Sequence, residues 1–202
     1  MTEQDANAPG RSIRAHLPDP IARTDQHLVV DADADTTYRA IWSADFTEAP
    51  LARLLAAVAV WPQRIASRAR GEPMPPSGAR HDGLREALAD DSPWVLLADE
   101  TGVEVVLGLL WTPPAGGIKR PAAEFHAFDE PGVAKVAWAM TVTPFGPDRS
   151  LLTTETRTET NDAQTRRRFL VLWWIIAPFA ALLRRQVLLA IKAEAEYHGA
   201  QA

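Results

Sequence analysis

The stretch from Asn161 to Glu196, NDAQTRRRFLVLWWIIAPFAALLRRQVLLAIKAEAE, constrains the fold more than any other part of the chain. Asn161 can accept a hydrogen bond from the first free amides of a helix, Gln164 follows three residues later as in a capping box, and Asp162 adds negative charge at the positive end. Beyond that start, Phe169, Leu172, Trp173, Ile176, Ala180, Leu183, Val187 and Ile191 recur at spacings of three and four, so they share one stripe of a long helix. Leu170, Trp174 and Ile175 lie off the stripe. The middle of the helix is therefore apolar nearly all round, and the rest of the chain has to wrap it.

A membrane span is the first rival. The uninterrupted apolar run Phe169–Leu183 covers only about 22 Å at helical rise, short of a ~30 Å hydrocarbon core, and Pro178 inside it predicts a kink. Arg166, Arg167 and Arg168 precede the run, and Arg184 and Arg185 follow it. They read as the solvated ends of a buried helix, with peripheral contact to lipid headgroups beside Trp173 and Trp174 as the alternative.

Charge and composition narrow the classes. The net charge of −5, from 26 acidic and 21 basic residues, argues against general nucleic-acid binding, which needs a basic surface. The absence of cysteine removes disulfides, thiolate metal ligands and a cysteine nucleophile together. No apolar targeting segment opens the chain, so a cytoplasmic location is the expectation. Seven tryptophans point to a large apolar interior.

In chain order, residues 1–22 hold Pro9, Gly10, Pro18 and Pro20 without apolar periodicity and read as a loose tail, leaving 23–199 as a single domain. Thr24–Ala32 reads as a first strand. A short helix follows, capped by Asp33 or Asp35, with Tyr38, Ile41 and Trp42 on one face. Thr47 caps a second, whose stripe is Leu51, Leu54, Leu55, Val58 and Trp61. The segment 71–80, GEPMPPSGAR, is a candidate entrance loop, and Asp82–Ala89 a short helix. WVLLADETGVEVVLGLLWTP, from Trp94, reads as a hairpin turning at Glu100–Gly102. Ala122–Phe128 reads as a strand, followed by a turn at Asp129–Gly132. Ala134–Thr143 and Leu151–Thr160 form the last hairpin. Symmetric pairing puts Val136, Trp138, Met140 and Val142 on one side with Leu152, Thr154, Thr156 and Thr158, and leaves Glu155, Arg157 and Glu159 on a solvated outer side. The expected class is α+β: an antiparallel sheet of about six strands, two short helices after the first strand, and a long C-terminal helix.

This order, the opening strand with its DADTTYRAI helix, the pieces AEFHAFDEPGVAKVAW and TETRTETND, and the long C-terminal helix resemble the START-like (helix-grip, SRPBCC) superfamily, in its bacterial polyketide-cyclase and lipid-transport-like branch, over roughly residues 23–196. The resemblance implies a curved sheet gripping the C-terminal helix, with an apolar cavity between them closed by the short helices and loops. The superfamily holds carriers, hormone binders, cyclases and oxygenase domains, so the fold alone does not choose among them.

No catalytic motif, phosphate loop, dinucleotide fingerprint or metal-binding histidine spacing occurs, so neither a metal nor another cofactor is expected. The first reading is a non-enzymatic binder or carrier of a small hydrophobic molecule such as a lipid, isoprenoid or polyketide. Its expected lining is Tyr38, Trp42, Leu55, Trp61, Leu109, Trp111, Trp138, Met140, Thr154, Thr156, Phe169, Trp173 and Ile176, with Trp94 in the same aromatic set and the Thr154 and Thr156 hydroxyls orienting a polar end. The alternative is a cyclase/aromatase-like enzyme with Tyr38 or His126 as acid or base, although His126 also reads as a surface residue. A third reading is an interaction protein that docks a partner, or a second copy as a homodimer, through Trp174 and Leu170.

Overall fold

The computed structural model describes residues 11–46, 83–88, 92–112 and 116–201. Six strands form one antiparallel sheet: β1 (Ala22–Val30), β2 (Trp94–Glu100), β3 (Glu104–Thr112), β4 (Gly116–Ile118), β5 (Ala134–Pro144) and β6 (Ser150–Thr160). Their order is β1-β6-β5-β3-β2, with β4 paired to β3. Between β2 and β3 the chain reverses at Gly102, whose φ of 82° lies in the region that side chains disfavour. The last hairpin has the register that symmetric pairing requires: Val136 faces Thr158, Trp138 faces Thr156, Met140 faces Thr154 and Val142 faces Leu152.

Helix α1 (Arg11–His16) overturns the reading of 1–22 as a loose tail for its second half. Ile13 and Leu17 are fully buried, and with Phe125 and Phe128 they cover Val106, Leu110, Ala137 and Ala139 on the outer face of the sheet. The small alanines of β5 leave room for these aromatic rings. Ala122–Phe128 is consequently not a strand but starts as a single 3-10 turn, Ala122–Glu124.

The same cover corrects the reading of Glu155 and Arg157 as solvated. Both are about 6% exposed. The Arg157 Nε donates to Glu155 Oε1 at 2.7 Å, its Nη1 donates to the carbonyl oxygens of Leu17 and Pro18, and the Arg23 Nε pairs with the same Glu155 oxygen at 2.9 Å. Glu104 is also buried there, accepting from the Ser12 amide and the Thr141 hydroxyl, and burial raises its pKa.

On the inner face lie α2 (Ala34–Ser43), capped by Asp33, the short α3 (Leu84–Ala87), and α4 (Ala163–Gly199). The expected helix at Thr47–Trp61 and the loop at 71–80 lie outside the described residues. Helix α4 runs for 37 residues, unbroken through Pro178. Its cap is Asp162 rather than Asn161: the Asp162 carboxylate accepts from the Thr165 amide at 2.8 Å and from the Gly132 amide at 3.0 Å, while Asn161 turns to Asp129. These amides hold the Asp162 carboxyl at about 2, below its ordinary 3.8. Because the folded pKa is the lower one, the charged cap contributes fully above pH ~4 and its contribution is lost as pH falls toward ~2. Asp162→Ala should therefore melt below the wild type at pH 7, with the gap closing between pH ~4 and ~2. A gap that persists undiminished at pH 2 would assign the loss to something other than the charge.

The C-terminal half of α4 packs through Val187, Leu188, Ile191 and Ala195 against Tyr38 and Ile41 of α2 and Met140, Val142 and Leu152 of the sheet. Lys192 donates to the Val29 carbonyl, and Glu196 accepts from the Asp31 amide. At the other end the Phe169 ring meets Trp111 edge-on at 6.0 Å. By length and composition α4 could cross a membrane. Both of its ends are held to one sheet, however, so it lies along that sheet. The expected wrapping of its middle does not hold: Trp174 is 82% exposed, Val171 70% and Ile175 63%, with Phe179 also exposed, because this stripe points away from the sheet.

Candidate functional site

The helix and the sheet face each other across a surface rich in aromatic rings. Alternation in β5 and β6 sends Val136, Trp138, Met140, Thr154, Thr156 and Thr158 toward α4, and the register adds Leu107, Leu109 and Trp111 from β3 and Thr24 and Gln26 from β1. The Gln26 amide donates to the Ala181 carbonyl at 3.0 Å, fixing that turn of α4 over β1.

Burial along this surface is uneven. Outer-face Ala137, Ala139, Val106 and Leu110 are fully buried, whereas their inner-face neighbours Val136, Trp138 and Leu109 on the same central strands are only half-buried. Opposite them, no residue of α4 from 170 to 183 is buried, although those on either side, Phe169 and Arg184, are. Packed interiors do not leave tryptophans on central strands half open.

The residues expected to line a cavity divide accordingly. Trp42, Leu109, Trp111, Trp138, Thr156, Trp173 and Ile176 are half-buried, as is Trp94. Tyr38, Met140, Thr154 and Phe169 are buried, and Leu55 and Trp61 lie outside the described residues. Phe169 stacks on Trp173 at 5.6 Å, Trp94 tilts against Trp138 at 5.9 Å, and the Trp138 indole donates to the Thr154 hydroxyl, which in turn donates to the Ala139 carbonyl. Thr154 is thus committed within the sheet, and Thr156 is the freer of the two threonines.

The two acid or base candidates fare differently from one another. His126 sits on the outer side of the sheet, exposed, stacked on His16 with 2.8 Å between ring nitrogens, and cannot reach the inner face. Its neighbours Phe125 and Phe128 are what hold it there. Tyr38 is on the inner side. Its hydroxyl donates to the Asp99 carboxylate, and burial followed by that bond pushes its pKa up to about 12. The phenol is therefore a neutral hydrogen-bond donor across the neutral range and not a base.

Among the described residues three polar groups on the facing surfaces have no partner: the Nε of Arg184 and the hydroxyls of Thr24 and Thr160. Counting apolar residues alone hid Arg184, yet it stands three, four and seven residues before Val187, Leu188 and Ile191 and so shares their buried side. Among the described residues no group of three or more His, Asp or Glu side chains comes together as a metal site would require. A groove of about 230 Å³ before α4, bordered by Phe128, Lys135, Glu159 and Asn161, is rimmed by charge.

No protein-family model and no curated protein matches the chain. Solved structures of similar shape include a conserved protein from Geobacillus kaustophilus, with 10% identity over 86% of this chain and 95% of that one at a TM-score of 0.41. A Streptomyces aromatase/cyclase follows at 11% identity over 87% and 93%, TM-score 0.31. Norcoclaurine synthase from Thalictrum flavum has 11% identity over 83% and 91%, TM-score 0.32. Likenesses this distant assign no ligand or reaction. The strand order, the short helices after β1 and the long α4 held along one face of the sheet make this an α+β helix-grip architecture.

Proposed function

We propose that the chain binds a small apolar molecule in the space between α4 and the inner face of the sheet. One observation carries this reading: Val136, Trp138 and Leu109 on the inner face of the central strands are only half-buried, whereas Val106, Leu110, Ala137 and Ala139 on the outer face are buried. A ligand filling that space would remove Trp138, Trp111 and Trp173 from water, at roughly 25 cal/mol per Å² of apolar surface. Native mass spectrometry of the purified protein, followed by denaturation, tests it. A released hydrophobic molecule near one per chain is the expected result, and failure to take up any of a panel of fatty acids, isoprenoids and aromatic polyketides would overturn the reading. Enzymatic use of the same space has less support, since His126 lies on the outer side of the sheet and the Tyr38 hydroxyl is engaged by Asp99.

A second reading concerns the outward stripe of α4. Trp174, Val171, Ile175 and Phe179 are exposed, Arg166, Arg167 and Arg168 are exposed at one end and Arg185 at the other, and no acidic residue occurs from 163 to 193 in a chain of net charge −5. That combination fits an anionic lipid surface, with rings at the interface and arginines among the headgroups. Cosedimentation with anionic but not zwitterionic vesicles is expected. Equal recovery with both, or a salt-stable dimer that hides Trp174, would replace it with a different occupant.

A further inference from the structure

Arg184 is the single charged residue on the buried stripe of α4, and only about 7% of it is exposed. Its Nε makes no hydrogen bond, and no carboxylate among the described residues pairs with it. The inner face of β1, β3, β5 and β6 offers none: Thr24, Gln26, Leu28, Leu107, Leu109, Val136, Trp138, Met140, Thr154 and Thr156 are all uncharged. Burial depresses its pKa, with no neighbouring charge to offset it. Lysine could escape such a position by losing its proton. A guanidinium cannot, so the cation stays charged and without a counter-charge until something pairs with it.

We propose that Arg184 anchors the head of the bound molecule, and that this molecule is an amphiphile carrying a single carboxylate on an apolar body. The proposal rests on the apolar-ligand reading above and specifies its chemistry. A carboxylate meets the guanidinium fork with two parallel hydrogen bonds and neutralises its one charge; a phosphate dianion would leave negative charge buried in turn. The Thr24 hydroxyl, buried and unpartnered two residues from the Gln26 that touches α4, is a second donor on the same face. The body of the ligand would lie toward Trp138, Trp111 and Trp173, along the segment of α4 where burial lapses between Arg184 and Phe169.

The test compares dodecanoate with methyl dodecanoate on the full chain at pH 8, by calorimetry or fluorescence displacement. Wild type should bind the acid about 10–100-fold tighter than the ester, the range of a charge-assisted hydrogen-bonded pair. Arg184→Met should erase that preference while keeping ester affinity, and Arg184→Lys should restore part of it. The ligand-free Arg184→Met protein should also melt higher than wild type, since an unpaired buried cation is gone. Equal binding of acid and ester by wild type overturns the anchor but leaves the apolar site standing. Wild type that binds neither overturns both. An Arg184→Met protein that melts lower, or keeps the acid preference, assigns Arg184 to the fold instead. Should that variant not fold, the wild-type acid-to-ester ratio and Arg184→Lys decide alone.

Discussion

Arg157→Met, with Glu155 left in place, should lower stability by about 3–5 kcal/mol, toward the smaller figure because Arg23 still reaches Glu155 at 2.9 Å. The loss has two sources. Glu155 keeps a buried charge whose main partner, at 2.7 Å, is gone. The carbonyls of Leu17 and Pro18 lose the guanidinium that ties the end of α1 to the sheet, so the cover over Ala137 and Ala139 loosens as well. The double variant Glu155→Leu, Arg157→Met removes both charges and should recover the part owed to the unpaired Glu155, leaving the loss at the Leu17 and Pro18 carbonyls. Urea unfolding of the two variants decides it. A single variant within 1 kcal/mol of wild type would mean that the pair is solvated and that α1 does not cover it.

That buried pair marks where the sequence was legible and where it was not. The last hairpin could be read because its register is local: the alternation Val136, Trp138, Met140, Val142 and the short connection to β6 fix which residues pair. The start of α2, narrowed to a cap at Asp33 or Asp35, and the long apolar α4 were legible for the same reason. The partner of a sheet face 140 residues away in sequence is not local. Ile13 and Leu17 lie among prolines and polar residues, with too few apolar positions to show a period, yet they cover the face that carries Glu155 and Arg157. Of the two readings of His126 the surface one holds: a strand at Ala122–Phe128 would have set it near the cavity, whereas the buried Phe125 and Phe128 pull the segment onto the outer face. The aromatic residues of the inner face could be read from the sequence because apolar side chains announce themselves. Arg184 was passed over because a charge at helical spacing ordinarily means solvent.

The two faces of α4 should answer mutation in opposite ways. Phe169 is buried, edge-on to Trp111 and stacked on Trp173, so Phe169→Ala removes a ring that pins the start of the helix to β3 and should cost about 3–5 kcal/mol. Part of that cost is the cavity left behind, which adjoins the proposed ligand space. A hydrophobic ligand added in excess should therefore restore more stability to Phe169→Ala than to the wild type, provided it binds there. Trp174, five residues on and 82% exposed, contributes nothing of the kind to the fold. Trp174→Ala should change stability by no more than about 0.5 kcal/mol, and alanine's higher helix propensity leans that change toward stabilisation. It should nevertheless weaken recovery on anionic vesicles, which Phe169→Ala leaves intact as long as the protein stays folded. A Trp174→Ala protein destabilised by more than about 2 kcal/mol would show that its ring is covered by the chain itself, a cost that exposed positions do not carry. The outward stripe of α4 would then be part of the core and not a surface for lipid.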